Sequence, residues 1–146
     1  MSVTVRSFAK INLGLCIGAL RPDGFHDLRT IYQTIAIHDR LTVRAAVSKS
    51  TSIEIACSDK AVPTDASNTC YKAADALLKA LKINASVTIS IDKQLPVQGG
   101  LGAASSNAAA TIIGIERALK KSLPAVDRLS IAEETHAHST GDSTSQ

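Results

Sequence analysis

Aromatic residues are scarce: the chain has no tryptophan, two tyrosines and two phenylalanines, 3% of its length. Its core must therefore be aliphatic, and it lacks the stacking surfaces on which single-stranded nucleic acids are held. There are three cysteines, Cys16, Cys57 and Cys70, an odd number without paired spacing. That excludes a disulfide framework and a zinc cluster, and it reads as reduced thiols in a cytoplasmic protein. No apolar run reaches the length of a membrane span, and the N-terminus lacks the charged and apolar regions of a signal peptide. The net charge of +3 suits anionic small molecules but is too mild to indicate nucleic acid. What remains is 146 residues, 45% hydrophobic and 20% charged, enough for one core of ordinary size.

Residues 3–20 alternate, with Val3, Val5, Ile11, Leu13, Leu15 and Ile17 on a β-period, as two strands or one strand bent near Phe8-Ala9-Lys10. Arg21-Pro22-Asp23-Gly24 is a turn. Leu28–Ile37, Leu41–Ala46 and Ser52–Cys57 are further strand segments. Asn68 caps a helix expected to reach Leu81, with Tyr71, Ala74, Leu77, Leu78 and Leu81 inward. Val87, Ile89 and Ile91 alternate with polar residues in a half-buried strand. A thin, alanine-rich helix follows from about Ala104 to Lys120, Leu123-Pro124 breaks it, and Asp127–Glu134 starts another. This order predicts an α+β layer, not a doubly wound sheet. From Thr135 on there is no apolar period, so the end of the chain is expected to be disordered or frayed.

The segment between the last strand and the alanine-rich helix carries the most information. Leu95 is followed by Pro96-Val97-Gln98-Gly99-Gly100-Leu101-Gly102-Ala103-Ala104-Ser105-Ser106. Three glycines in four residues let the backbone turn sharply and approach a ligand closely. The helix that follows aims its first amides and the positive end of its dipole at the turn, which makes a cradle for phosphate. Ser105 and Ser106 stand where a hydroxyl could cap the helix, touch phosphate or hold a metal ion. No lysine follows Gly102, so this is not a Walker loop, and Gly100-x-Gly102-x-x-Ser105 lacks the acidic residue of a dinucleotide fold. A tight turn that binds nothing would carry the same glycines.

Two smaller blocks hold chemistry. Lys10 and Asn12, two apart on a strand, share a face and could steady charge on an oxygen, or Lys10 could simply reach water at a strand edge. Phe25 and His26 could hold a planar base, or sit on a solvated turn. His136 and His138 diverge on a helix and do not make a metal site, and His38 has no evident partner.

Taken together, these blocks resemble the GHMP kinases. Pro96-x-x-x-Gly100-Leu101-Gly102 with Ser105-Ser106-Asn107-Ala108-Ala109 is similar to that family's phosphate loop. Ala9-Lys10-Ile11-Asn12-Leu13 and Arg21-Pro22-Asp23-Gly24-Phe25-His26-Asp27-Leu28 narrow the likeness to its branch acting on 4-diphosphocytidyl-2-C-methyl-D-erythritol. The resemblance covers about residues 5–132 in order. It implies the family's N-terminal fold, a ribosomal-protein-like two-layer mixed sheet backed by helices. It also implies ATP and Mg²⁺ as cofactors, with diphosphocytidyl methylerythritol as the small-molecule substrate and no nucleic-acid or membrane partner.

Residue by residue, the resemblance places the ATP phosphates in the loop Pro96–Ser106, with Mg²⁺ or phosphate at Ser106, and adenine near Asn68. It gives cytosine to Phe25 and His26, the reacting 2-hydroxyl to Lys10, and support of that site to Asn12. One departure stands out. The family's Gly-x-Asp-Val-Pro segment, whose Asp is the proposed base, should fall near position 139, which is Ser139; Asp142 follows Gly141 out of register. Residues 1–132 are thus expected to form the family's N-terminal domain and 133–146 a divergent tail, with the second domain absent. The expectation is a truncated, weakly active or inactive kinase that exposes apolar surface and self-associates. The alternative is a non-catalytic nucleotide-binding fragment, and a ribosomal-type RNA-binding module is disfavoured by the missing basic aromatic face.

Overall fold

In the computed structural model, which describes residues 1–137, β-rich segments pair into one sheet and helices cover one of its faces. Strand β1 spans Ser2–Leu20, β2 His26–Val47, β3 Ser52–Cys57 and β4 Ala85–Asp92. Helix α1 spans Thr69–Leu81, α2 Ala103–Leu119 and α3 Ala125–Ala137. The sheet order is β1-β2-β4-β3. β1 and β2 pair antiparallel, as do β2 and β4, whereas β3 and β4 run parallel. A parallel pair needs a crossover, and α1 supplies it.

Alternation decides which face is covered. In β4, Ala85, Val87, Ile89 and Ile91 are buried and their neighbours are not. They meet Leu41 and Val43 of β2, Leu77 and Leu78 of α1, and Ile112 and Ile115 of α2. The inner face of α1 also includes Cys70 and Ala73, while Tyr71 and Leu81 sit at its margin. α2 lies close on the sheet because Gly114 has no Cβ: one built there would stand 2.7 Å from Val43 Cγ2. α3 packs on α1 and α2.

Several sequence expectations are adjusted. Leu28–Ile37 and Leu41–Ala46 belong to one strand, because β2 runs on past Ile37 and resumes its ladder with β1 at His38 and Asp39. The bend near Phe8-Ala9-Lys10 is a register shift: Phe8 pairs with His38 and Lys10 with Thr34, so β2 bulges opposite Ala9. His38 does have partners there, the Phe8 ring at 5.1 Å and the Ala36 carbonyl at 2.8 Å. α3 extends into the 133–146 segment expected to lack regular structure, because Ile131 and Thr135 are both buried and the Thr135 hydroxyl donates to the Ile131 carbonyl (2.6 Å). Ser139, His138 and Asp142 lie outside the described residues.

β4 pairs with β2 only from Arg40 to Val47. Beyond Lys10 and Thr34, β1 and β2 continue as a two-stranded arm to the Leu20–His26 pair. No described helix is long and apolar enough to cross a membrane.

Candidate phosphate-loop site

Leu95, buried, ends the path from β4, and α2 begins at Ala103; between them Pro96–Gly100 lie exposed. Gly100 (φ 69°) and Gly102 (φ 73°) adopt the left-handed conformation that an L side chain resists. At Gly102 a second constraint applies, since a Cβ would come within 3.0 Å of the Lys10 side chain. Gly102 is the N-cap of α2 and offers no side-chain bond to its first turn. Ser106 donates its hydroxyl to the Phe8 carbonyl (2.9 Å), and its amide bonds the Gly102 carbonyl. The loop is thus tied sideways to β1, where the Lys10 amide also donates to the Leu101 carbonyl (3.0 Å).

The bulge in β1–β2 aims Lys10 across this loop. Its ammonium donates to Asn12 Oδ1 (3.1 Å) and stands 4.9 Å from the centre of the Tyr32 ring. The same-face reading of Lys10 and Asn12 therefore holds, and Tyr32 is a member that the sequence did not suggest. Lys10, Tyr32, Gly100, Gly102, Ser105 and Ser106 line one open groove of about 810 Å³. None of the described residues lining that groove is an aspartate or glutamate.

On the other side of the loop is a smaller pocket of about 180 Å³, with Val62, Pro63, Asn68, Val97, Ala103 and Ala104 in its wall. Asn68 is buried and its amide is already engaged: Oδ1 accepts from the Cys70 amide (2.8 Å) and Nδ2 donates to the Pro63 carbonyl (2.6 Å). It caps α1 as expected and shapes the pocket wall. Thr69 ties the two helix starts together by donating to the Ala104 carbonyl (3.3 Å).

Phe25 and His26 are elsewhere. His26 pairs with Leu20 at the tip of the arm, and a ring nitrogen lies 2.9 Å from the Gly18 carbonyl. It stands eight residue steps before Thr34, the partner of Lys10, roughly 26 Å of extended chain.

Sequence reasoning missed the polar cluster beneath the loop. Asp39 is fully buried. Its Oδ1 accepts from the amides of Gln94 (2.7 Å) and Leu95 (2.8 Å), and its Oδ2 from Lys93 Nζ (2.6 Å) and Asn107 Nδ2 (2.9 Å). Burial raises the pKa of this carboxyl, but the bonds from Lys93, Leu95, Asn107 and Gln94 outweigh it and hold the group below the usual carboxylate value. The signal was available in the pattern: Asp39 shares parity with Leu41 and Val43, and Lys93 with Ile89 and Ile91. Among the described residues, no group of His, Cys, Asp and Glu is arranged to hold a metal ion.

The comparisons with known proteins agree with this architecture. Residues 68–145 match the pattern described as "GHMP kinases N terminal domain". The 4-diphosphocytidyl-2-C-methyl-D-erythritol kinase of Chloroherpeton thalassium is 42% identical over 137 residues, 94% of this chain and 47% of the relative. That of Chlorobium limicola is 42% identical over 115 residues, 79% of this chain and 38% of the relative. A crystal structure of 4-(cytidine 5'-diphospho)-2C-methyl-D-erythritol kinase superposes with a TM-score of 0.75 at 27% identity, covering 91% of this chain and 46% of that one. The chain therefore spans about half the length of the curated relatives it matches. By fold, loop and sequence, it belongs to the GHMP kinases.

Proposed function

We propose that this chain supplies the nucleotide-binding and hydroxyl-positioning part of an ATP-dependent kinase that phosphorylates the 2-hydroxyl of 4-diphosphocytidyl-2-C-methyl-D-erythritol, a step of non-mevalonate isoprenoid biosynthesis. The observation that carries this reading is the glycine loop standing between two cavities, the Asn68 pocket on one side and the Lys10 groove on the other. A nucleotide with its base in the first would pass its phosphates over Gly100–Ser106 and present the terminal one to the second. The pocket's size and mostly apolar wall suit an adenine.

Phosphoryl transfer depends mainly on positioning and charge stabilisation. The amides of the loop and of the first turn of α2 would face the phosphate oxygens, where the helix dipole favours negative charge. Lys10, steadied by Asn12 and Tyr32, would stand at the reacting oxygen as the catalytic cation. Ser106 fits a Mg²⁺ or phosphate contact, since its proton is given to Phe8 and its oxygen lone pairs remain for a cation. Mg²⁺, when bound, would neutralise charge on the phosphates, with the Ser106 hydroxyl as its contact from this chain. Phe25 and His26 would receive the cytosine end of the substrate at the arm tip. A cytoplasmic location fits three cysteines that are all free thiols.

Turnover by the chain alone should be low, because no described residue lining the Lys10 groove can take the hydroxyl proton as a carboxylate base. That observation also favours the second reading, a nucleotide-binding fragment without chemistry. Titration with ATP and Mg²⁺ should show binding that Gly100→Val abolishes, since its φ of 69° excludes a β-branched residue. ADP release with substrate added should stay far below that of a full-length relative. Equal turnover would overturn the weak-activity reading, and failure to bind ATP would overturn the kinase reading. Self-association is the accompanying proposal, supported by exposed apolar residues such as Leu13, Ile17 and Ile31 on the arm. A monomer at all concentrations in sedimentation would end it.

A further inference from the structure

We infer that Asp39 is a positioning residue that holds the two ends of the glycine loop in the geometry that receives a triphosphate, acting through the Gln94 and Leu95 amides and the Asn107 side chain. This rests on the reading of the loop as a phosphate site.

The loop has little else to fix it from below. Pro96–Gly100 are exposed, and Gly100 and Gly102 are free of the steric limits that would otherwise restrict the backbone. A flexible loop would have to be ordered by its ligand, at an entropic cost that weakens binding. Asp39 removes part of that freedom at both boundaries. Its Oδ1 takes the amides of Gln94 and Leu95, where the chain leaves β4, and its Oδ2 takes Asn107 Nδ2, one turn into α2. One carboxylate therefore spans the entry and the exit of the loop.

Lys93 balances the buried charge at 2.6 Å, with both side chains nearly inaccessible to solvent. The pairing is built by the sheet: Arg40 lies opposite Asp92, which puts Asp39 opposite Lys93. Four donors on one buried carboxylate leave it no freedom to turn, while Asn107 Oδ1 remains buried with no partner. An arrangement that strands an amide oxygen in order to aim the amide nitrogen at Asp39 is costly unless the orientation is used. On the opposite flank, the Lys10 amide and Ser106 hydroxyl tie the middle and end of the loop to β1. The phosphate loop is thus clamped between two strands, with Asp39 as the clamp on its inner side.

Calorimetric titration of the chain with Mg²⁺–ATP and separately with adenosine, which has no phosphate to meet the loop, tests this. Asp39→Asn keeps the shape and the acceptor for Gln94 and Leu95, but turns the atom facing Lys93 and Asn107 into a donor. Because Lys93 and Asn107 also line the Asn68 pocket, adenosine can lose some affinity too; the expected result is an ATP Kd raised at least about tenfold and several-fold more than the adenosine Kd. Combining Asp39→Asn with Asn107→Asp restores a donor–acceptor pair and should recover most of the ATP affinity. A folded Asp39→Asn chain that binds ATP as the parent does, or that loses ATP and adenosine affinity equally, overturns the inference while leaving the kinase reading intact. If Asp39→Asn does not fold, the Asn107 side-chain amide resonance of the unaltered chain decides. A larger or differently directed shift with ATP than with adenosine supports the clamp, and identical shifts with the two overturn it. An unaltered chain that fails to bind ATP overturns the kinase reading and the inference with it.

Discussion

The body of the molecule and its β-arm are made from the same kinds of residue, yet they are stabilised differently. In the body, alternate residues of β2 and β4 meet α1 and α2, and Leu41, Leu77, Val87 and Ile89 are almost completely buried. In the arm, Leu13, Leu15, Ile17, Leu28 and Ile31 alternate just as regularly, but no helix or third strand of the described residues covers them. The hairpin there is held by its ladder and its turn, where Arg21 pairs with Asp23 at 2.8 Å. An exposed ion pair of that kind contributes little, and a two-stranded ribbon is marginal in water. Lys10 stands at the junction. Its backbone is bonded to the loop of the body, and its ammonium rests over Tyr32 of the arm.

The contrast can be broken or sharpened in solution. The largest effect should be in thiol reactivity. Cys16, exposed in the arm, should react with a thiol reagent at neutral pH at least roughly a hundredfold faster than Cys70. Burial pushes the Cys70 thiol up to about 11, so it should label only as fast as the body opens. Equal rates would show that the body is loosely packed.

Core truncation comes next. Leu77→Ala, fully buried in α1, should lose about 2–5 kcal/mol in urea denaturation. Gly114→Val should lose about 1–3 kcal/mol, since its Cβ would press Val43 at 2.7 Å and α2 must move off the sheet.

Acid should act on the body through Asp39. Its folded pKa lies below the unfolded value, so its contribution is present above about pH 4 and is lost as pH falls through the folded value. Stability of the parent should therefore drop more steeply below pH 4 than that of Asp39→Asn, measured by denaturant melts across pH. The smallest effect is expected in the arm: at dilutions where the chain is monomeric, Ile17→Ala should stay within about 0.5 kcal/mol of the parent. A loss like that of Leu77→Ala would mean that something covers the arm in solution.

Much of this was legible along the chain, for local reasons. Asn68 caps α1 because its side chain can reach the Cys70 amide two residues on. β4 is legible because its alternation is unbroken, and the turn Asp23-Gly24 because aspartate and glycine each satisfy a local backbone demand. The Gly100–Gly102 turn is legible for the same reason, since both glycines take positive φ. The continuity of β2 was not, since only its ladder with β1 carries it across His38 and Asp39. The inner face of α1 was read one residue out of phase at its start, because Cys70 faces Thr111 of a helix distant in sequence. Asp39 and Lys93 were each visible at inward parity, but their meeting depends on β2 and β4 being neighbours.

The sequence by itself determined the alternation that makes the sheet, the caps and breaks that bound the helices, and the glycines where the chain must turn with positive φ. These follow from interactions within a few residues. Only the tertiary structure decided that Lys10 lies over Gly102, that one buried carboxylate joins both ends of the glycine loop, and that the arm is left uncovered. Those depend on which strands become neighbours and how closely α2 approaches them, and both are set by packing between segments far apart in the chain.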